Sequence, residues 1–297
     1  MKPLVSIVLP TYNHANLIGE AISSVINQTY SNWELIIVDN NSVDNTSEVI
    51  SEFKDERIKT FKIQNNGVIA SSRNMGINNS KGNWIAFIDS DDVWYSNKLE
   101  LVINKINSNT KYQVFCHDEV MVNVSNNRTK KLINGPFCDN FYSNMLIYGN
   151  KLSTSSTIVS REYIISNKLL FRNHTNLITV EDYDFWLLLA KSNAKFYFIK
   201  KTLGEYRIHG SNMSMVNVNF YKNLVFLIKD HVYNLQNFEK KRNKLFAVIY
   251  LRIMISQSFS FIRNKNYKSF FYQMLFLLKI SPSFFLSLVF NAKNNFN

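Results

Sequence analysis

The sequence predicts an α/β protein with a mostly parallel, mixed sheet flanked by helices, followed by a basic helical region. Short apolar runs alternate with amphipathic segments through the first hundred residues, and polar or acidic residues follow several of these runs. This alternation is typical of βα units with parallel strands. A concentration of basic and aromatic residues from position 213 onward predicts the appended helices.

The elements of the first hundred residues follow from hydrophobic periodicity. The predicted strands cover residues 5–9, 34–38, 58–62 and 84–88. The predicted helices cover residues 15–27, 45–53, 68–79 and 97–107. Because ligands bind beyond the carboxyl ends of the strands in such sheets, we expect the functional residues directly after each strand.

The pattern is weaker from residue 113 to residue 180. It predicts a strand at 113–117, a hairpin within 120–131, a helix at 140–148 and a strand at 157–160. A helix at 180–192 and strands at 196–199 and 204–208 follow, and the chain from residue 213 reads as helical. We therefore expect two domains, 1–212 and 213–297.

The positive charge is unevenly distributed. The chain carries a net charge of +12, of which +10 falls in residues 213–297, with 12 basic and two acidic residues. A basic excess of this size is typical of proteins that bind nucleic acid, membrane surfaces or anionic ligands. Because the first 212 residues are nearly neutral and acidic at the strand ends, nucleic acid is not the expected partner.

Cysteine use and hydropathy indicate a cytoplasmic chain. Cys116 and Cys138 have no zinc-ligand spacing and are expected to be reduced. The apolar run at residues 4–9 is too short for a signal peptide. No run reaches the roughly 18 uncharged apolar residues of a membrane-spanning helix, and the nearest candidate, residues 269–290, is interrupted by Lys279.

An acidic cluster closes the strand at 84–88. Asp89, Asp91 and Asp92 place three carboxylates within four residues. Such crowding is unfavourable without a cation, and Mg²⁺ or Mn²⁺ takes oxygen ligands and bridges to phosphates. The cluster therefore predicts a site for a nucleoside diphosphate. The alternative is a solvated acidic turn that caps the next helix.

Two other strand ends carry polar residues. Asp39 follows the strand at 34–38, where its carboxylate can accept a hydrogen bond from a base or ribose. Thr46 is suited to capping the next helix, and Asp44 to capping or binding. The segment at residues 9–13 offers an aromatic ring and polar groups beside a base, with a plain β-to-α turn as the alternative.

Four segments carry a family resemblance. They are Val5-Ser-Ile-Val-Leu-Pro-Thr-Tyr-Asn13, Ile37-Val-Asp-Asn-Asn-Ser-Val-Asp-Asn-Thr46, Ala70-Ser-Ser-Arg-Asn-Met-Gly76 and Ile88-Asp-Ser-Asp-Asp92. In this order they resemble the nucleotide-sugar half of glycosyltransferase family 2, inverting enzymes of the GT-A fold. Glu181-Asp182 and Tyr206-Arg-Ile-His209 extend the resemblance to about residue 214. One departure is at Val43 or Asn45, where the family often has glycine.

The resemblance implies a donor site for a UDP-sugar and a divalent cation, Mn²⁺ or Mg²⁺. Asp39 would bind the uracil, Arg73 would face the base or diphosphate, and Asp89 would contact the ribose or donor sugar. The other residues implied in donor binding are Pro10, Thr11, Asn13, Asp91, Arg207 and His209. The implied metal ligands are Asp91, Asp89 and His209. Arg73 could instead be a surface arginine on a helix.

Inverting transfer needs a general base for the acceptor hydroxyl. The resemblance makes Asp182 the base, with Glu181 in reserve; the alternative is two acids favoured by the dipole at a helix start. Trp94 would stack on the acceptor sugar, or pack in the core. Asp92 would contact the acceptor or position the metal site.

The resemblance implies a metal-dependent hexosyltransferase that serves bacterial surface polysaccharides such as O-antigen or capsule. Its acceptor would be a saccharide on a polyprenyl diphosphate, at the inner face of the cytoplasmic membrane. The basic-aromatic residues 213–297 would then lie on the anionic membrane surface. The alternatives are helices packed on the catalytic domain or a homodimer partner, a non-catalytic membrane adaptor, and a nucleic-acid-binding protein.

Overall fold

The computed structural model describes residues 2–65, 68–210 and 219–280, with side chains described as far as residue 275. The chain forms two compact units, Met1–Asn223 and Leu224–Asn297. The predicted boundary after residue 212 lies outside the described residues, as do Phe284, Phe285 and Phe290 of the predicted aromatic stretch.

The first unit contains the strands. They are β1 (Val5–Thr11), β2 (Trp33–Asp39), β3 (Ile58–Lys62), β4 (Trp84–Phe87), β5 (Val93–Trp94), β6 (Val114–Asn123), β7 (Thr129–Leu132), β8 (Thr157–Ser160) and β9 (Phe196–Ile208). Its helices are α1 (Ala15–Ile26), α2 (Thr46–Glu52), α3 (Ile69–Asn79), α4 (Lys98–Ser108), α5 (Phe141–Tyr148), α6 (Arg161–Ser166) and α7 (Glu181–Lys191). A short 3₁₀ turn at Thr175–Leu177 precedes α7.

The strands form one mixed sheet in the order β3-β2-β1-β4-β8-β6-β9-β5, with β7 paired to β6. The first four strands in this order are parallel, whereas β8 runs antiparallel to both β4 and β6. Thr11 pairs with Asp39, and Val8 pairs with Phe87, so β1, β2 and β4 end at one edge of the sheet. The sheet confirms the predicted fold class.

Burial explains why these segments form strands. Every residue of β1 and β2 is buried, as expected for parallel strands covered by helices on both faces. α1 contributes Ile18 and Ile22 to the core, and α4 contributes Leu99, all at 0% exposure. This packing fixes the three strand ends on which the site is built.

Three features differ from the sequence expectations. β9 is one strand of 13 residues in place of the two predicted at 196–199 and 204–208, and its pairing with β6 shifts register at the exposed Lys200 and Lys201. β6 extends beyond the predicted 113–117, because its second half pairs with both β7 and β9. The two-residue β5 and the six-residue α6 are too short to produce a periodic signal.

The helices after the sheet are α8 (Phe220–Asp230), a π-helical turn at His231–Leu235, α9 (Arg242–Arg263) and α10 (Tyr267–Ile280). α9 has 22 residues, and its most apolar 18-residue window has a mean hydropathy of 1.7, so by length and composition it could cross a membrane. The sequence prediction concerned uncharged runs only, and Arg252 interrupts this one. Core helices of soluble proteins share this length and composition, so the finding alone assigns no membrane topology.

Candidate active site

The turn after β4 gathers the acidic cluster at the edge of the sheet. Asp89 has a side chain 28% exposed, and its Oδ1 accepts a hydrogen bond from Arg73 Nη2 at 2.9 Å. The Asp91 side chain is 14% exposed, whereas Asp92 is 1% exposed and turned inward. The three carboxylates therefore point to different surroundings, which the sequence spacing alone does not reveal.

Arg73 joins this turn to the start of α7. It lies on α3 and is 3% exposed, so the surface alternative for this arginine was wrong. Its Nη1 donates to Glu181 Oε1 at 2.7 Å while its Nη2 donates to Asp89. Burial alone would lower the pKa of Arg73, but the charges of Asp89, Glu181 and Asp182 raise it above its ordinary value. The guanidinium is therefore a fixed positive charge between the two acidic segments.

Asp182 lies in the first turn of α7 beside Glu181. Burial and the Glu181 charge raise the pKa of Asp182 to about 7, although Arg73 and the Tyr183 amide oppose the rise. Its Oδ1 accepts from the Tyr183 amide at 2.6 Å, and the Thr154 hydroxyl lies 3.5 Å from its Oδ2. A carboxyl that titrates near neutral pH is suited to act as a general base.

Asp91 pairs with His209 from the residues just after β9. The His209 Nε2 and Asp91 Oδ2 are 2.9 Å apart. Burial and the Asp89 charge raise the pKa of Asp91. Strand β9 thus brings the motif at 206–209 to the acidic turn, across a sequence separation of more than a hundred residues.

Asp89, Asp91 and His209 fit a divalent cation whose remaining ligands come from the substrate. Within residues 2–65, 68–210 and 219–280, no three His, Cys, Asp or Glu residues form a group that could hold a metal ion. Mg²⁺ and Mn²⁺ with nucleotides commonly take one or two protein carboxylates and complete their shell with phosphate oxygens and water. The crowded, buried carboxylate of Asp91 beside Asp89 supplies the negative charge that such an ion neutralises.

Asp92, Trp94 and Arg207 contact other residues of the chain. Asp92 accepts from the Ser155 hydroxyl at 2.5 Å and from the Arg207 amide at 2.9 Å, which favours positioning over its predicted acceptor contact. Trp94 is 3% exposed with Lys98 Nζ 3.3 Å from its ring centre, which favours core packing over stacking on a sugar. The Arg207 guanidinium donates a hydrogen bond to Glu20 at 2.6 Å. Its expected contact with the UDP-sugar stays a prediction.

The residues predicted to bind the nucleotide lie where β1 and β2 end. Pro10 and Thr11 are the last residues of β1, and Thr11 is 4% exposed. Asn13 has φ 51° and accepts from the Val43 amide at 2.9 Å. Asp39 is 1% exposed and accepts from the Ser42 amide at 3.0 Å. The residues predicted to frame the nucleotide are therefore neighbours, and their contact with a base remains a prediction.

Asp44 caps α2 as predicted, whereas its contact with α1 and the contacts of His14 were not predicted. Asp44 accepts from the Ala15 amide at 3.0 Å and the Thr46 amide at 3.1 Å, so one carboxylate serves the starts of both α1 and α2. The His14 ring lies 6.1 Å from that of His209, and its Nδ1 is 2.6 Å from the Ser90 hydroxyl. Its position beside Asn13 at the first strand end was the available signal.

The fold is shared with solved glycosyltransferases. The structure superposes on Staphylococcus aureus TarS residues 1–349 in complex with UDP-GlcNAc with a TM-score of 0.67 and 22% identity, covering 85% of this chain and 72% of that one. It also matches the mannosyltransferase PcManGT from Pyrobaculum calidifontis, solved with GDP-Man and Mn²⁺, with a TM-score of 0.63 and 13% identity, covering 99% and 80%. The sheet and its flanking helices define a GT-A fold.

The Glycosyl transferase family 2 model matches residues 6–196, and the chain belongs to that family. Escherichia coli WfgD, a UDP-Glc:alpha-D-GlcNAc-diphosphoundecaprenol beta-1,3-glucosyltransferase, is 35% identical over 190 residues, which cover 64% of this chain and 71% of WfgD. Bacillus subtilis TuaG, a putative teichuronic acid biosynthesis glycosyltransferase, is 29% identical over 226 residues, covering 72% and 82%. An uncharacterized Rickettsia felis glycosyltransferase is 30% identical over 95% of this chain, which spans 46% of that relative.

Proposed function

We propose that this protein transfers a hexose from a UDP-sugar, with inversion, to a hydroxyl of a saccharide carried on a lipid diphosphate. One observation carries the proposal. Buried Arg73 binds Asp89 after β4 and Glu181 at the start of α7, which places Asp182 in the same network as the acidic turn. Transfer requires that the groups that bind the donor lie close to the base, and this network places the acidic turn near Asp182.

The proposed mechanism assigns the proton transfer to Asp182. In its deprotonated form the carboxylate accepts the proton of the acceptor hydroxyl as that oxygen attacks the anomeric carbon. The attack comes from the face opposite the leaving diphosphate, so the configuration inverts. The Tyr183 amide and the Thr154 side chain hold the carboxylate in place for this step.

The leaving diphosphate needs positive charge. A divalent cation held by Asp91 and His209, with Asp89 nearby, would neutralise the charge that develops on the departing diphosphate. Arg73 keeps Asp89 and Glu181 oriented and offsets their charges, because both acids bind its guanidinium. The buried carboxylate of Asp39 can accept the ring N–H of uracil, which supports UDP as the nucleotide.

The substrates are proposed from the relatives. The name of WfgD states a UDP-glucose donor and a diphosphoundecaprenol-linked GlcNAc acceptor, and TarS has been solved with UDP and with UDP-GlcNAc. These names support a UDP-hexose donor and a polyprenyl-diphosphate acceptor for this chain, in the synthesis of a surface polysaccharide such as O-antigen or capsule.

A lipid-linked acceptor would require work at the inner face of the cytoplasmic membrane. α9 and the start of α10 carry large exposed apolar side chains, including Phe259 at 51% and Phe271 at 62% exposure. Arg252, Arg263 and Lys268 lie among them. Helices that lie on anionic membranes typically insert apolar side chains into the bilayer, while their basic side chains contact the lipid headgroups. We propose an anionic lipid surface as the partner of these helices.

The test is a donor screen with the purified protein. UDP release is measured with Mn²⁺, a panel of UDP-hexoses and a synthetic GlcNAc-diphospho-lipid, with acceptor-free reactions as controls, and NMR then gives the linkage and anomeric configuration. We expect acceptor-dependent UDP release with one or two donors and an inverted product. Absence of release with every donor and several lipid-diphosphate saccharides would overturn the proposal and favour a non-catalytic adaptor.

A further inference from the structure

A largely buried segment, residues 153–156, leads into β8, which begins at Thr157. Thr154 is 5% exposed, Ser155 and Ser156 are 1% exposed, and Thr157 is fully buried. β8 runs antiparallel to β4, with Ile158 opposite Ala86. The residues just before β8 therefore lie beside the carboxyl end of β4, where the acidic turn begins.

The Ser155 hydroxyl joins the two ends of the acidic turn. It accepts a hydrogen bond from the Asp89 amide at 3.0 Å and donates to Asp92 Oδ2 at 2.5 Å. A hydroxyl can donate and accept at once, which a carboxylate or an ammonium cannot do. Asp89 and Asp92 flank Asp91, so this single oxygen fixes the backbone that presents the proposed metal ligand.

The Ser155 backbone is itself held by two donors. Its carbonyl oxygen accepts from Lys98 Nζ at 2.6 Å and from Trp94 Nε1 at 2.8 Å. Lys98 is fully buried, and burial lowers its pKa well below the ordinary value. These contacts give Ser155 one defined position, so its hydroxyl does not adjust freely when the turn moves.

The neighbouring Ser156 provides an internal comparison. It is equally buried, but its hydroxyl donates to the Ser153 carbonyl at 2.9 Å and lies 3.0 Å from Cys116 Sγ. Asn134 also donates to it at 3.2 Å. These contacts of the hydroxyl hold the segment to β6 and to the loop after β7, and none of them is with a carboxylate of the acidic turn.

We propose that Ser155 is a positioning residue for the transfer reaction, which holds the turn at residues 89–92 in the geometry that binds the cation and the donor diphosphate. The inference rests on the proposed function, because it takes the acidic turn as the diphosphate site. Ser155 acts through Asp89 and Asp92 and has no role in bond making or breaking.

The test compares Ser155→Ala with Ser156→Ala, two deletions of a buried hydroxyl one residue apart. Electron paramagnetic resonance of free Mn²⁺ measures metal affinity in the presence of UDP, and circular dichroism measures the metal-free melting temperature. Ser155→Ala should weaken Mn²⁺ binding about tenfold or more, because it removes both hydrogen bonds that hold the two ends of the turn, whereas Ser156→Ala should stay within about twofold. Both variants should lose similar thermal stability.

Equal Mn²⁺ affinity in the two variants would overturn the inference and leave Ser155 a purely structural residue. If Ser155→Ala does not fold, Ser155→Cys replaces it, since a thiol of similar size is a weaker donor and acceptor. A wild-type protein that binds Mn²⁺ and UDP but transfers no hexose contradicts the proposed function alone. A wild-type protein that binds no Mn²⁺ with UDP contradicts the inference.

Discussion

Arg73 shows how one side chain can organise a site. Its two terminal nitrogens bind acids that lie 16 and 108 positions away in the sequence. Lysine has the same charge but presents a single point of contact in place of a planar fork. The geometry of the acidic turn relative to α7 therefore depends on guanidinium shape as well as charge.

Arg73→Lys should lower kcat/KM by about 100-fold, because a displacement of about 1 Å in a catalytic group has an effect of that size. Steady-state kinetics of UDP release measures the loss. Arg57→Lys is the matched control, since Arg57 binds Asp55 outside the site and should leave kcat/KM unchanged. Equal kinetics in wild type and Arg73→Lys would show that the bridge is not needed.

Asp182→Asn should spare UDP-sugar binding and lower kcat by about 10²- to 10⁴-fold, the usual contribution of a general base. Isothermal titration calorimetry measures UDP-sugar binding, and single-turnover kinetics measures the rate of the chemical step. Glu181→Gln tests the reserve candidate. If Asp182→Asn remains active while Glu181→Gln loses the chemical step, the base is Glu181.

The pH profile gives an independent test of the same residue. Burial and Glu181 raise the pKa of Asp182 to about 7. Because the base must be deprotonated, kcat/KM should rise as the pH passes upward through about 7 and level off above it. The residual activity of Asp182→Asn should lack this rise. If the variant shows the same rise, the rise belongs to the titration of another group.

At the scale of elements, Asp44 couples α1 and α2, the two helices beside the predicted nucleotide-binding residues. A single carboxylate that receives the first amides of α1 and α2 fixes both helix starts relative to each other. Hydrogen bonding to Thr46 and to the Ala15 amide lowers the pKa of Asp44 despite its partial burial. The loop between β2 and α2 is thereby tied to the loop after β1.

Asp44→Ala should lower the free energy of unfolding by about 1–2 kcal/mol, the range for loss of a helix cap. Urea unfolding followed by circular dichroism measures it. Glu52→Ala, which removes an exposed acid from the end of α2, should stay within about 0.5 kcal/mol of wild type. Similar losses in both variants would contradict a capping role for Asp44.

The exposed aromatic residues of α10 lead to a membrane prediction. The protein should sediment with phosphatidylglycerol vesicles more strongly than with phosphatidylcholine vesicles, and added salt should weaken the binding because charges are screened. Phe271→Asp should weaken it about tenfold, because an inserted aromatic side chain is lost. Tyr148→Asp changes an aromatic residue of α5 that is 64% exposed and serves as control. A dimer in solution with no vesicle binding would contradict the proposal.

Most elements of the sheet domain follow from the sequence because buried strands and amphipathic helices have different periods. The first four strands and four helices fall within about two residues of their predicted bounds. β9 was divided into two near Lys200 and Lys201, where its pairing with β6 shifts register before it resumes at Thr202. The second half of β6 forms with β7 the hairpin predicted within 120–131, whereas the continuity of β6 with its first half depends on pairing with β9, which leaves no local signal.

At the scale of the whole molecule, the acidic turn and the acids at the start of α7 could be predicted because each is a local motif. Arg73 was assigned to the site, but its buried bridge between two acids was not predicted. The roles of Ser155, His14 and Lys98 depend on contacts between distant segments. The run of small hydroxyl residues at 153–157 was visible in the sequence, yet only the antiparallel pairing of β8 with β4 brings it beside the turn.

The distribution of charge separates two tasks. The catalytic unit is nearly neutral, with its carboxylates concentrated at the strand ends, and +10 of the +12 net charge lies in residues 213–297. Net charge therefore carries information about location and association rather than about the fold or the reaction.

The Arg73 bridge joins segments of the site that are synthesised at different times. Chains fold from the N-terminus as they leave the ribosome, so β1 to β4 and α3 are available before α7 has been made. Until residue 181 is synthesised, Arg73 has Asp89 as a partner but lacks Glu181. A nascent chain at that stage contains the acidic turn without its proposed base. The site stays incomplete beyond that stage, because His209, the partner of Asp91, is made later still.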